Sequence, residues 1–257
     1  MIYNVTGLVI GETNVGEHDR MITIFTSECG IVGAMAKGSR KAHSALLHGT
    51  KLFAYSEFVI AERADKHYVR EAMPKEVLYD ICCDLETSGV SYYIAEVLLA
   101  AATASPDPEL FRLALNCLFA LRERKADPFL IKAAFEMRCS AILGFMPEVS
   151  ACSVCERQDG EMMLDISEGI LTCPACRKRL SSAEREEASA FTRITPLSES
   201  ARRAMLYTLY APQERLLSFS LADEDMRLFK DAAEVYIQHH LERSFNALEF
   251  LKQARNV

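Results

Sequence analysis

The spacing of hydrophobic and polar positions changes period near residue 74. Before it, short runs of alternating or β-branched residues recur over Ile2 to Ile10, Met21 to Thr26, Ile31 to Ala36, Lys51 to Ile60 and His67 to Ala72. Gly11, Gly16, Gly30, Gly38 and Gly49 punctuate these runs as turn residues do. Five short strands in so little chain predict a small closed barrel. The five-stranded oligonucleotide/oligosaccharide-binding (OB) barrel is the commonest such design, and an SH3-like barrel would produce much the same pattern.

After Pro74 the period becomes helical. From Leu78 to Ala104, apolar residues fall at three- and four-residue intervals, and Ser105-Pro106-Asp107-Pro108 then stops the helix and starts another. Asp107-Pro108 and Asp127-Pro128 each read as an N-cap followed by proline at the first helical position, where a missing N–H is harmless. They predict helices over Pro108 to Arg124 and Pro128 to Leu143, the second ended by Gly144. Further helices are expected over Ser198 to Leu209 and Ala222 to Ala254. The last is one long helix with Phe229, Val235, Tyr236, Leu241, Phe245, Leu248 and Leu251 as its buried stripe. The expected fold class is α+β, with a barrel domain over residues 1–75 and a mainly helical domain over 76–257.

A segment over about residues 148–178 interrupts the helical pattern. It holds Cys152-Ser-Val-Cys155 and Cys173-Pro-Ala-Cys176, a C-x2-C-x17-C-x2-C spacing within the range of structural zinc sites. Between the pairs, Met162 to Ile166 and Gly169 to Leu171 read as a hairpin presenting both knuckles to one metal ion. Cys152, Cys155, Cys173 and Cys176 are therefore the expected ligands of one structural zinc per chain. Four thiolates leave no open position for hydrolysis. A nucleobase-deaminase zinc site would need a His or Cys two residues before a catalytic Glu, upstream of the C-x-x-C pair, and no such element precedes Cys173. The other five cysteines, Cys29, Cys82, Cys83, Cys117 and Cys139, are scattered, and the odd total fits a reducing compartment.

The chain has 257 residues, half of them hydrophobic, enough for a packed core. No apolar run is long enough to span a bilayer, and the N-terminus has no leader-like pattern, so a cytoplasmic protein is expected. The net charge of −7 argues against indiscriminate coating of nucleic acid. Its distribution is uneven, however. Residues 1–75 carry nine Lys/Arg and eight Asp/Glu, and no acid lies between Cys29 and Ser56, where Lys37, Arg40, Lys41 and Lys51 fall with His43 and His48.

Within that window Lys37-Gly38-Ser39-Arg40-Lys41 follows a predicted strand, and its glycine would let a phosphate approach the backbone. A solvated turn is the plain alternative. The order of residues is not that of a P-loop, so nucleotide hydrolysis has no support. Tyr3, Phe25, Phe53, Tyr55, Phe58 and Tyr68 interleave with the strands; some could stack on bases, while Phe25, Phe53 and Phe58 are expected to fill the barrel. His239-His240 reads as part of a polar helix face, and Arg177-Lys178-Arg179 either as an anion-contacting patch or, more plainly, as the basic flank of a knuckle.

Several short elements recur in the order found in one family. They are Gly16-Glu17-His18-Asp19-Arg20, Phe25-Thr26, Gly30, Ala36-Lys37-Gly38-Ser39-Arg40, Tyr55-Ser56-Glu57-Phe58, Leu143-Gly144-Phe145-Met146-Pro147, and Ser167-Glu-Gly-Ile-Leu leading to the second cysteine pair. Over essentially its whole length the chain resembles the RecO family of bacterial recombination mediators and DNA repair proteins. The resemblance implies a non-enzymatic, nucleoid-associated protein that binds single- and double-stranded DNA. It would anneal strands coated by single-strand-binding protein and, with RecR, help load RecA. Arg20, Lys37, Arg40 and Lys41, with Lys51 in the same acid-free window, are the candidate DNA contacts. The resemblance implies no cofactor beyond zinc. A second reading keeps the zinc knuckle but makes the barrel a polypeptide-binding adaptor.

Overall fold

The computed structural model describes residues 1–179 and 193–255. Five strands, β1 (Ile2–Val15), β2 (Asp19–Thr26), β3 (Gly30–Ala36), β4 (Ala54–Arg63) and β5 (Lys66–Val77), close into a barrel of order β1-β2-β3-β5-β4. β1 pairs with β4 to close it, and β3 runs parallel to β5. This order decides between the two barrels that the pattern left open: it is an OB fold. Its core follows from alternation, with Val5, Val9, Ile22, Ile24, Val32, Phe58, Ile60 and Val69 pointing inward. Phe58 fills the barrel core as expected, whereas Phe25 and Phe53, also buried, pack outside it against Phe111 and Tyr92 of the helices that follow, since alternation along β2 turns Ile22 and Ile24 inward and Phe25 outward. The acid-free window spans β3, the turns that connect it to β4, and the start of β4.

The barrel belongs to a compact unit made of Met1–Glu123 and the C-terminal segment from Phe245. Here a 3-10 turn at Tyr79–Cys82 leads to α1 (Leu85–Ala101) and α2 (Pro108–Arg122). The carboxylates of Asp84 and Asp107 accept the N–H groups of Thr87 and Leu110 as N-caps. The final helix, α7 (Asn246–Arg255), packs on α1, where a Cβ on Gly89 would lie 2.3 Å from Leu251. Only glycine permits that approach. Phe25 and Phe111 meet edge to face at 5.5 Å, joining barrel to helix.

The second compact unit is Arg124–Ser244. It contains α3 (Pro128–Ile142), β6 (Glu148–Cys152), β7 (Met162–Asp165), β8 (Ile170–Thr172), α4 (Pro174–Arg179), β9 (Ile194–Leu197), α5 (Glu199–Tyr210) and α6 (Asp223–His240). The predicted hairpin is present as β7 and β8, and β6 and β9 extend it to a sheet of order β6-β8-β7-β9. α3 is buried from Leu130 to Ser140 on every face. Its Lys132 is consequently held in ion pairs with Glu136 at 2.8 Å and Glu234 at 2.9 Å.

One expected element is corrected. The long helix over Ala222 to Ala254 is two helices, broken between His240 and Asn246. Glu242 takes a left-handed φ of 50°, while Arg243 N–H bonds Gln238 O and Glu242 N–H bonds His239 O. These two reversed bonds form a Schellman cap. Because Glu242 occupies the position that glycine usually takes, the periodicity ran through the break without a visible stop.

Candidate functional site

The barrel carries a cleft of about 570 Å³ lined by Lys37, Arg63, Ala64, Lys66, Tyr68, Val69 and Arg70. Local backbone geometry assembles it. Arg63 and Lys66 are partners across the β4–β5 hairpin, joined by a two-residue turn at Ala64 and Asp65 with φ of 47° and 58°. Two left-handed residues match the twist of paired strands. Along β5, Lys66 and Tyr68 share the outer face, and Val69 turns into the core. A bulge then follows: Val69 faces Ile60, while Glu71 faces Val59, so Arg70 is the extra residue and stays outside.

Lys37, the last contributor, extends from the end of β3 and places its Nζ 5.3 Å from the centre of the Tyr68 ring. The turn that follows it is fixed to the β1–β2 hairpin. Gly38 N–H donates to Asp19 Oδ1 at 2.7 Å, Arg40 N–H to His18 O at 3.0 Å, and the Arg40 guanidinium to Gly16 O at 3.1 Å. Gly38 has φ of 65°, and a Cβ there would meet only Lys41, 3.9 Å away. The backbone beside Lys37 is open.

Four cations and one aromatic ring therefore line a cleft to which no carboxylate contributes. Among the described residues, none of the four cations is in an ion pair. Unneutralised positive charge in a concave site attracts polyanions. A different groove of the same barrel is lined by Glu28, Glu57 and Glu71 with Asn4, Thr6 and Met73, and it would repel them.

The predicted contacts are distributed unequally around the cleft. Lys37 lines it. Arg40 and Lys41 sit in the adjoining turn, half-buried and exposed respectively. Lys51 is half-buried in the connection before β4 and does not line the cleft. Arg20 is 9% exposed, with its Nε 3.7 Å from Glu12 Oε2, so its guanidinium is turned into the structure.

In the second unit, Sγ atoms of Cys152, Cys155, Cys173 and Cys176 all lie within 4.8 Å of one another. Cys155 and Cys173 are 3.8 Å apart, the edge of a tetrahedron with metal–sulfur bonds of about 2.3 Å. Cys173 N–H points at Cys152 Sγ at 3.3 Å and Cys176 N–H at Cys173 Sγ at 3.4 Å, as knuckle amides do toward thiolates. Burial raises the Cys152 thiol pKa, but N–H groups of Cys173, Val154 and Cys155 outweigh it and bring it to about 6. Cys176 is pushed up to about 12 by its bonds to Cys155 and Cys173 and by burial. Four sulfurs this close would all ionise only around a cation, so the donor set fits a bound metal ion.

Arg202 of α5 holds this module in place. Its buried guanidinium donates to Val149 O at 3.1 Å, to Ser150 O at 2.8 Å, and to Gln158 O. His240 adds a contact that its sequence position did not suggest. His239 is exposed, but His240 stacks on Phe145 and bonds Ile166 O at 3.0 Å. The expected polar face is a packed one because the β7–β8 turn lies against α6.

Comparison with known proteins agrees with this architecture. Residues 1–76 match the family model described as Recombination protein O N terminal, and residues 83–249 match Recombination protein O C terminal. The chain belongs to the RecO family. A DNA repair protein RecO of Acetivibrio thermocellus is 30% identical over 250 residues, covering 96% of this chain and 95% of that protein. One of Bacillus subtilis is 25% identical over 258 residues, covering 100% and 96% respectively. Membership in the RecO family gives the protein a role in DNA repair and recombination. No helix among the described residues is long and apolar enough to cross a membrane.

Arg63, Lys66 and Arg70 escaped the sequence reading, which followed the acid-free window instead. Their signal was present as two cations flanking a two-residue turn and as Lys66 and Tyr68 at period two.

Proposed function

We propose that this RecO-family protein is a recombination mediator that binds DNA in the barrel cleft through Lys37, Arg63, Lys66 and Arg70, with Arg40 and Lys41 on its flank. The observation that carries this reading is the convergence of four cations, without ion-pair partners among the described residues, in a cleft with no acid. Phosphates would supply the missing counter-charge and release counterions as they bind. Such contacts are independent of sequence, as annealing requires. Holding two strands by their backbones while bases find partners involves no bond chemistry, so the proposed activity is not enzymatic.

The further steps are also proposals. Single-strand-binding protein and RecR would be its protein partners at the nucleoid, with RecA loaded as the outcome. The acidic remainder of the chain suits protein partners better than DNA. Cys152, Cys155, Cys173 and Cys176 would hold one zinc ion, for which an all-thiolate tetrahedron is the usual setting. That ion would supply folding energy to the β6–β9 module and no reactive group.

The test is annealing of complementary oligonucleotides, with and without single-strand-binding protein, by the unmodified protein and by Arg63→Glu/Lys66→Glu. The expected result is acceleration by the first and loss of it in the second, with strand affinity reduced about a hundredfold. No acceleration by the unmodified protein, and no DNA binding, would instead favour a polypeptide-binding adaptor.

A further inference from the structure

The cleft contains one feature that phosphate binding does not use. Tyr68 is the only aromatic side chain among its lining residues. It is half-buried, fixed by β-ladder pairing to Ala61 on one side and Met35 on the other, and flanked by Lys66 on its own strand face. The backbone that carries the ring is thus paired on both sides. The barrel's other half-exposed tyrosines are engaged elsewhere: Tyr3 hydrogen-bonds His67 at 3.0 Å, and Tyr55 lies against Phe111 and beneath Lys75.

We infer that Tyr68 is a stacking platform for one unpaired nucleobase and makes the cleft discriminate single strands from duplex. This rests on the reading of the cleft as the DNA site. Cations that touch phosphates serve both forms of DNA, because both present a charged backbone. An aromatic ring serves only the form with a free base face. In a duplex, base faces are covered by their neighbours and exposing one means unstacking it, whereas an unpaired strand offers its bases freely.

The arrangement of Lys37 supports this role. Its ammonium covers the Tyr68 ring at 5.3 Å, within cation–π range. Lys37 is exposed and carried on a flexible stem, so it can leave the ring and turn to a phosphate at little cost. Base–aromatic stacking is stronger than an exposed cation–π contact. Lys37 therefore occupies the ring face until a base replaces it, and the displaced ammonium becomes the contact to that nucleotide's backbone.

The sequence contains no tryptophan, so Tyr68→Trp would carry the protein's single indole. The experiment titrates Tyr68→Leu, Tyr68→Phe, Tyr68→Trp and Arg63→Glu/Lys66→Glu with a short oligo-dT strand and with a blunt duplex. Expected for Tyr68→Leu is about tenfold weaker single-strand binding with duplex affinity changed less than about twofold. Tyr68→Phe should bind as the unmodified protein does, and the indole of Tyr68→Trp should be quenched by oligo-dT and not by duplex. Equal losses for both DNA forms in Tyr68→Leu, or an indole silent at saturating oligo-dT, would overturn the inference while leaving the cleft as the DNA site. If Arg63→Glu/Lys66→Glu binds both forms normally, the cleft reading fails and the stacking role fails with it. Thermal melting of each variant separates these outcomes from misfolding.

Discussion

Arg63 and Lys66 face one another directly across the β4–β5 ladder, closing the turn at Ala64 and Asp65. Like charges opposed in this way destabilise a hairpin by about 0.2–1 kcal/mol, and the turn itself holds Ala64 in a conformation that disfavours a side chain. Local stability has been exchanged for charge density at the mouth of the cleft. Lys66→Glu should therefore separate stability from function. It converts a repulsive pair into an attractive one, so the barrel should gain about 0.5 kcal/mol in urea denaturation. Its single-strand affinity should nevertheless fall severalfold. A variant that loses both stability and binding would contradict the exchange.

The metal module should depend on its thiolates. In the absence of the ion, crowding among the four sulfurs leaves Cys176 protonated with a pKa of about 12, and the knuckles lose their common ligand. Metal analysis is expected to find one zinc per chain, and Cys152→Ser should reduce that and lower the melting temperature of the second unit. Chelation of the unmodified protein should have the same effect, because binding energy in such a site is folding energy. Zinc near zero in freshly purified protein, with Cys152→Ser as stable as the parent, would rule this out.

Arg202 should matter to the same module without touching the metal. Three backbone carbonyls, those of Val149, Ser150 and Gln158, depend on the guanidinium of one arginine, a residue 3% exposed. Arg202→Met retains much of the apolar volume but leaves those acceptors without their donor. The expected loss is about 3 kcal/mol, with faster zinc release to a chelator. Arg203→Met, one residue away, removes an exposed ion pair with Glu199 and should change stability by less than about 0.5 kcal/mol.

His240 should give the second unit an acid-sensitive contact. Burial lowers its pKa below the ordinary 6.5; its bond to Ile166 opposes that, and His239 reinforces it. A neutral ring is thus favoured in the folded state. The contribution is complete above the unfolded value of 6.5 and is lost as pH falls through 6.5 toward the lower folded value. Stability of the unmodified protein should drop over that interval more steeply than that of His240→Phe. Thiolate protonation acts on both proteins, so their difference isolates the histidine. Parallel pH profiles would show that it does not contribute.

The barrel and the cysteine cluster were legible because their signals are local. Alternation along Ile2 to Ile10 and Met21 to Thr26 reports one buried face, and two C-x2-C pairs report four thiols that can converge whatever surrounds them. The cleft was less legible since it exists only once β5 lies between β3 and β4. Arg63, Lys66 and Arg70 lie among Glu62, Asp65 and Glu71 in sequence, and only the hairpin and bulge separate their surfaces. Arg20 shows the reverse: it sits beside a motif-like Gly16-to-Asp19 turn, yet alternation along β2 turns it inward. The break after α6 was hidden for a conformational reason, as Glu242 adopts a left-handed backbone that neither glycine nor proline announced.

Salt dependence offers the most quantitative test of which cations meet phosphate. Each phosphate neutralised on a single strand contributes about −0.7 to the slope of log affinity against log salt. Lys37, Arg63, Lys66 and Arg70 together predict a slope near −3, made somewhat steeper by Arg40 or Lys41 at the flank. Lys37→Ala, Arg63→Ala and Arg70→Ala should each flatten it by about 0.7, because every one of these charges faces the cleft. Arg20→Ala should leave the slope unchanged even if it weakens the barrel, since its guanidinium lies beside Glu12 and is almost closed to solvent. The same measurement thus sorts surface contacts from an internal cation. A slope that does not change in Lys37→Ala and Arg70→Ala, but falls in Arg20→Ala or Lys51→Ala, would move the DNA path off the cleft and toward the β3–β4 connection.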